Sequence, residues 1–209
     1  MAKQNYTRIT TPVGVAVYPH LTEADTKFNA AGLYHTKLAF ERDEVEELIE
    51  KLEGERDEFI STLDAKTLKT HKTIAPVFEE ELDDEGEETG RVIFKANLKA
   101  HVVTKAGKEW DQEPMIFDSA NNQIKDIASL KLWGGSRIRL QADVIPYAMG
   151  STKTLGVSLR IRAVQVVELS SGNAGSPFDE YDGGDVIVDT QSPVDKPFSN
   201  DDDDDLDDY

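Results

Sequence analysis

The sequence predicts an all-β domain with helical insertions, a five-stranded Greek-key barrel over residues 1–170, followed by a disordered acidic C-terminal tail over residues 171–209. Long segments between residues 11 and 169 alternate apolar and polar residues with the period of two expected of half-buried strands. One stretch, residues 45–63, switches to helical spacing. The last nine residues set seven aspartates around Leu206 and Tyr209, too little apolar surface to support folding.

Residues 11–18 read as a first strand, closed by Pro19. In residues 32–40, Tyr34, Thr36, Leu38 and Phe40 share one face of a second strand, and His35 and Lys37 share the other. Val45, Leu48, Ile49, Leu52, Arg56, Phe59, Ile60 and Leu63 then keep the spacing of one helix face, with Gly54 as a weak point worth about 1 kcal/mol. Residues 73–78 suggest a short strand, and the acidic run 79–90 a mobile loop or hairpin tip. Residues 91–103 turn Val92, Phe94, Ala96, Leu98, Ala100 and Val102 inward, and Lys95, Asn97, Lys99 and His101 outward. Residues 106–108 turn the chain and 114–117 can return as its partner. Asp118 or Ser119 can cap a short helix running to Leu132, where Trp133, Gly134 and Gly135 stop it.

Two long strands finish the domain. In 136–147, Ile138, Leu140, Ala142 and Val144 point in, and Arg137, Arg139, Gln141 and Asp143 point out. In 154–169, Val157, Leu159, Ile161 and Ala163 alternate with Ser158, Arg160 and Arg162, and the phase flips at Val164, as a β-bulge requires. This order fits the Greek-key barrel of the oligonucleotide-binding (OB) type.

The charge is segregated. The chain has 41 acidic and 23 basic residues, net −18. Residues 171–209 hold 13 of the acids and only Lys196, which leaves 28 acids and 22 bases in the body. Residues 79–88 hold eight more acids and no base, and residues 41–58 hold ten acids with three bases. What remains has 10 acids against 19 bases, a basic surface that the total conceals. No cysteine is present, so disulfides and thiolate metal sites are excluded. The N-terminus lacks an apolar leader core and no apolar run approaches 18 residues, so neither export nor a membrane span is expected.

Three outward pairs, Lys95/Lys99, Arg137/Arg139 and Arg160/Arg162, each place two cations about 7 Å apart on one strand face, close to the phosphate spacing of an extended single strand. Phe28, Tyr34, Trp110, Trp133 and Tyr147 lie beside them in sequence. Lys27 and Lys37 add cations near Phe28 and Tyr34, and Lys153 sits in a turn from which it could reach a phosphate. A basic groove with aromatic platforms is what a single-stranded nucleic-acid site needs. A paired cation is also the ordinary face of a solvated strand, and most aromatics in a domain of this size are core. The joint pattern favours binding.

The stretch Tyr18-Pro-His-Leu-Thr-Glu-Ala-Asp-Thr-Lys-Phe-Asn-Ala-Ala-Gly-Leu-Tyr-His-Thr-Lys-Leu38 resembles the N-terminal segment of T7-type phage single-stranded DNA-binding proteins. So do Gly135-Ser-Arg-Ile-Arg-Leu-Gln-Ala-Asp-Val-Ile-Pro-Tyr147 and Gly156-Val-Ser-Leu-Arg-Ile-Arg-Ala-Val-Gln-Val166, and the acidic tail completes the likeness. The resemblance implies an OB barrel that coats single-stranded DNA without sequence preference during phage DNA replication and recombination, in the cytoplasm of the infected bacterium. It also implies that Asp201, Asp202, Asp203, Asp204, Asp205, Leu206, Asp207, Asp208 and Tyr209 dock replication enzymes, a polymerase or a helicase-primase. Tyr209 departs from the pattern, since T7-type tails end in phenylalanine, and the acidic block 79–88 has no counterpart there. A homodimer is left open.

Other chemistries are weaker. His20, His35, His71 and His101 are scattered without ligand spacing, so no metal site is expected. Asp25 reads as a turn or helix cap, and residues 150–153 lack the phosphate-loop frame. No nucleophile–base pair and no cofactor motif is present, so an enzyme is not expected. Two other classes stay open: a Mg2+-dependent nuclease using Asp111, Glu113 and Asp118, and an acidic DNA mimic.

Overall fold

The computed structural model describes residues 6–27, 29–83, 85–104 and 106–170. Strands β1 (Arg8–Thr10), β2 (Gly14–Asp25) and β3 (Leu33–Glu41) lead through a 3-10 turn (Arg42–Val45) into helices α1 (Glu46–Ser61) and α2 (Ala65–Thr70). Then come β4 (Thr73–Ile74), β5 (Glu79–Leu82), the long β6 (Glu88–Lys99) and a small hairpin of β7 (His101–Val103) and β8 (Glu109–Asp111). Two short strands follow, β9 (Met115–Phe117) and β10 (Gln123–Ile124), before the long pair β11 (Arg137–Met149) and β12 (Thr154–Glu168).

The pairings run in a ring. Antiparallel contacts join β11 to β2, β2 to β3, β3 to β6 and β11 to β12, and a parallel contact joins β6 to β12. Two of these seams are narrow. β11 meets β2 only at Arg137↔Val15 and Ile138↔Gly14, and β12 meets β6 only at Leu159↔Ala96 and Arg160↔Asn97. The described residues are therefore mainly β with few helices, as expected, but the ring is not a regular barrel.

The inward rows hold. Val92, Phe94, Ala96 and Leu98 are buried, as are Ile138, Leu140, Ala142 and Val144. The phase of β12 changes where expected: Ala142 pairs with Ile161 but Gln141 with Ala163, so Arg162 is the extra residue of a bulge and Val164 turns inward. Phe94 packs edge-on to Phe40 at 5.8 Å between ring centres. Helix α1 buries Leu48 and Leu52 while the 3-10 turn buries Val45, and Gly54 does not break the helix. Among the described residues, no helix is long and apolar enough to cross a membrane.

Four local expectations are corrected. Pro19 does not close the first strand. β2 runs on to Asp25, and the register slips between Val17 and His20, with Tyr18 at φ 48. A bulge is where a strand tolerates proline, because the missing N–H falls outside the ladder. The acidic run is a hairpin tip rather than a loop, and its bounds are narrower than expected: Glu79–Leu82 is strand β5, paired antiparallel to β6, which begins at Glu88. The partner of the 101–103 segment is β8, whereas β9 pairs parallel to β12. No helix follows Asp118. Its carboxylate accepts the Asn122 N–H at 2.8 Å, Asn121 takes φ 66, and β10 folds back on β9. This side-chain-to-backbone bonding offers the chain an alternative to a helix. The apolar positions of that segment were still legible, since Ile124, Ile127 and Leu130 pack on the core.

Candidate nucleic-acid interface

A groove opens along the parallel seam. Arg160 stands beside Asn97, and two residues further on each strand bring Arg162 and Lys99 to the same place. Its volume is about 590 Å3, and Trp110, Tyr147, Val102, Ile145 and Ser158 also line it. A second hollow of about 700 Å3 shares Asn97, Lys99, Tyr147 and Ser158 with the first and extends to Lys95, Phe78 and Met149. The two hollows adjoin along these four residues and together make up the candidate face.

Each side chain is placed by its local structure. Trp110 sits opposite Val102 in the β7–β8 hairpin, which Gly107 closes at φ 77, a conformation that favours glycine. Asp111 accepts from His101 Nδ1 at 2.7 Å at the base of that hairpin. The indole is 40% exposed, with the Lys108 ammonium 5.9 Å from its ring centre. Tyr147 lies against Gly156 across the β11–β12 pair, where an added Cβ would come within 2.7 Å of the phenol oxygen. Only glycine leaves the ring that seat.

Asp143 is the residue that sequence reasoning placed wrongly. It was expected to face solvent with Arg139, but it is 3% exposed. It gathers Arg8 at 3.0 Å, Arg160 at 3.1 Å and Arg162 at 3.3 Å. Burial pushes its carboxyl up, but hydrogen bonds from Arg8 and Arg160 and the charge of Arg162 outweigh that, and it titrates below its ordinary value. Arg160 also lies over the Tyr6 ring at 5.1 Å. One buried carboxylate thus orients both β12 arginines at the groove wall. The only signal available in sequence was an acid in the same outward row as Arg137 and Arg139.

Other expected site residues divide. Lys95 is in the face but is held by Glu79 of β5, while Glu80 pairs with Arg42 at 2.6 Å and Glu81 with Arg91 at 3.1 Å. Such exposed pairs are worth about 0–1 kcal/mol each, so a phosphate can replace Glu79 at Lys95. Lys37 is the register partner of Lys95 on β3. Tyr34 is half-buried in a neighbouring hollow with His101, Asp111 and Glu113; burial, helped by the Glu113 charge, pushes its phenol up.

The third cation pair does not share the groove. Arg139 donates to Gln165 at 2.6 Å and lines a separate hollow with Met115 and Phe117, and Arg137 faces Glu168 at 3.9 Å. Trp133 is 53% exposed beside the β2–β11 seam, outside both hollows. Lys27 is exposed at the end of β2, its N–H donated to Asp25 at 2.8 Å as the turn-cap reading expects, and Lys153 is exposed in the β11–β12 turn at φ 56. Phe28 and residues 201–209 lie outside the described residues.

Two expectations about metal chemistry change. Asp111 and Glu113 line one hollow, while Asp118 closes a turn elsewhere, so the proposed nuclease carboxylates do not assemble. His20 and His35, scattered in sequence, are register partners and meet at Asp25.

No family model and no curated protein sequence matches the chain. Solved structures do. The crystal structure of gp2.5, a single-stranded DNA-binding protein encoded by bacteriophage T7, aligns with a TM-score of 0.65 at 18% identity, covering 88% of this chain and 100% of that one. The single-stranded DNA-binding protein of bacteriophage Enc34 in complex with single-stranded DNA aligns at 0.53 and 14% identity, over 78% of this chain and 87% of that one. Its C-terminal truncation aligns at 0.53 and 14%, over 78% and 86%. The chain has the fold of these phage single-stranded DNA-binding proteins.

Proposed function

We propose that the chain binds single-stranded DNA without sequence preference along the face lined by Lys95, Lys99, Trp110, Tyr147, Arg160 and Arg162. The observation that carries this reading is the grouping of Lys99 with the Asp143-held Arg160 and Arg162 around an exposed tryptophan, on a fold shared with proteins named for that activity. Cations meet phosphates and aromatic faces meet bases, so no base-edge code is needed. The strand ring acts as an OB-type barrel, and the protein coats DNA during phage replication and recombination in the host cytoplasm. Binding, not catalysis, is its role. Arg137, Arg139, Lys153 and Trp133 are outlying contacts, used if the strand runs beyond the groove.

Neutralising about 4–6 phosphates gives a log–log salt slope near −3 to −4, at roughly −0.7 per phosphate on single strands. A fluorescence titration against salt measures it, and a salt-independent affinity overturns the reading.

The acidic tail competes with DNA for this face and, once displaced, docks replication enzymes through Asp201–Asp205, Leu206, Asp207, Asp208 and Tyr209. As an unfolded chain, 39 residues span roughly 35 Å, against a body radius of gyration of about 15 Å. Tethering then holds the tail at about millimolar effective concentration. Deleting residues 171–209 is expected to tighten DNA binding, most at low salt, and to abolish enzyme contact. Equal low-salt affinities of the truncated and full chains would reduce the tail to a docking peptide.

A further inference from the structure

We infer that His20, Asp25 and His35 form a binding site for a divalent transition-metal ion of the zinc class. His20 and Asp25 lie on β2 and His35 on β3, with His20 and His35 directly paired in register. A second slip lies between His20 and Asp25, where β2 advances five residues against two on β3, and it brings Asp25 back beside the His20–His35 pair. The two imidazole rings stand 4.8 Å apart, tilted by 35°. His35 Nε2 is 3.4 Å from Asp25 Oδ2, and one ligand atom from each of the three residues lies within 4.8 Å of the others. A zinc ion 2.0–2.1 Å from its ligands holds them roughly 3.3 Å apart, so Asp25 and His35 already have the spacing and a small rotation of His20 completes it.

The carboxylate is prepared for this role. Asp25 Oδ1 accepts the Lys27 N–H at 2.8 Å, leaving Oδ2 to the histidines. A ligating carboxylate fixed by an outer hydrogen bond is typical of metal sites. His20 is exposed and the other two are partly buried, so the open coordination positions face solvent. Two imidazoles with one carboxylate suit zinc, cobalt or nickel, whereas Mg2+ prefers an all-oxygen shell. A bound ion would clamp β2 to β3 just before the turn that carries Lys27. This inference is independent of the DNA-binding reading.

The test titrates Zn2+ into the full chain by calorimetry in millimolar Mg2+, which occupies the scattered carboxylates. The wild type is expected to bind one ion per chain, and His20→Ala and His35→Gln to bind at least about tenfold more weakly. In long-range 15N spectra, two of the four histidines should shift on zinc addition. His20 is exposed, so His20→Ala keeps the test valid should His35→Gln unfold the domain. Absence of Zn2+ binding, loss of binding to Mg2+, or unchanged affinity in a folded His20→Ala variant overturns the inference.

Discussion

Replacing Trp110 with alanine is expected to weaken single-stranded DNA binding about 5- to 140-fold, because base–aromatic stacking is worth roughly 1–3 kcal/mol and about 1.4 kcal/mol is tenfold. The indole lines the groove beside Lys99, Arg160 and Arg162. It is 40% exposed and forms no part of the buried core, so its removal should leave the domain folded. Trp133→Ala is the matched comparison: Trp133 is also exposed but lies outside the groove, and with an oligonucleotide no longer than the groove the variant's affinity should stay near wild type. Tryptophan quenching by an oligonucleotide should disappear with Trp110 and persist without Trp133. The reverse pattern would move the stacking platform to the β2–β11 seam.

Asp143→Asn is expected to destabilise the fold by about 1–3 kcal/mol, the range for losing charge-assisted hydrogen bonds, because the arginines left behind remain partly solvated. The side chain of Asp143 is 5% exposed, against 52% for Arg8, 38% for Arg160 and 43% for Arg162. The pH dependence follows from the lowered carboxyl. A group whose folded pKa lies below its unfolded value stabilises fully above the latter and loses that contribution as pH falls through the folded one. The Asp143 contribution is therefore complete above about pH 3.8 and fades below it, and Asp143→Asn should flatten that part of the acid limb. Urea denaturation at several pH values measures both effects. A variant as stable as wild type would make the cluster a set of solvated pairs without structural weight.

The apolar alternation was legible wherever it was long. Ile138 to Val144 and Val92 to Leu98 were assigned to the core correctly, and the change of phase near Val164 marked a real bulge. Periodicity reports which face is buried but not which strand lies alongside. Hence β8, not β9, pairs with β7, and the 118–132 segment buried its apolar residues without being helical. Asp143 shows the same limit from the other side. Its alternation marks it as outward, yet β1 and two arginines of β12 close over it. The cations of the site were legible one by one, but their grouping was not. Arg160, Arg162 and Lys99 converge because β6 and β12 run parallel at one narrow seam, a long-range pairing without local signal. The same pairing blindness left Lys95 unassigned to Glu79, and His20 apart from His35.

The central claim is that the concave face of Lys99, Arg160, Arg162 and Trp110 is where single-stranded DNA binds. It is tested most directly by the salt dependence of oligonucleotide affinity for the wild type and for a Lys99→Ala, Arg162→Ala double variant shown to be folded. Loss of two phosphate contacts should weaken binding and make the log–log slope shallower by about 1.4, at roughly 0.7 per phosphate. A folded double variant with the affinity and slope of the wild type would contradict the account.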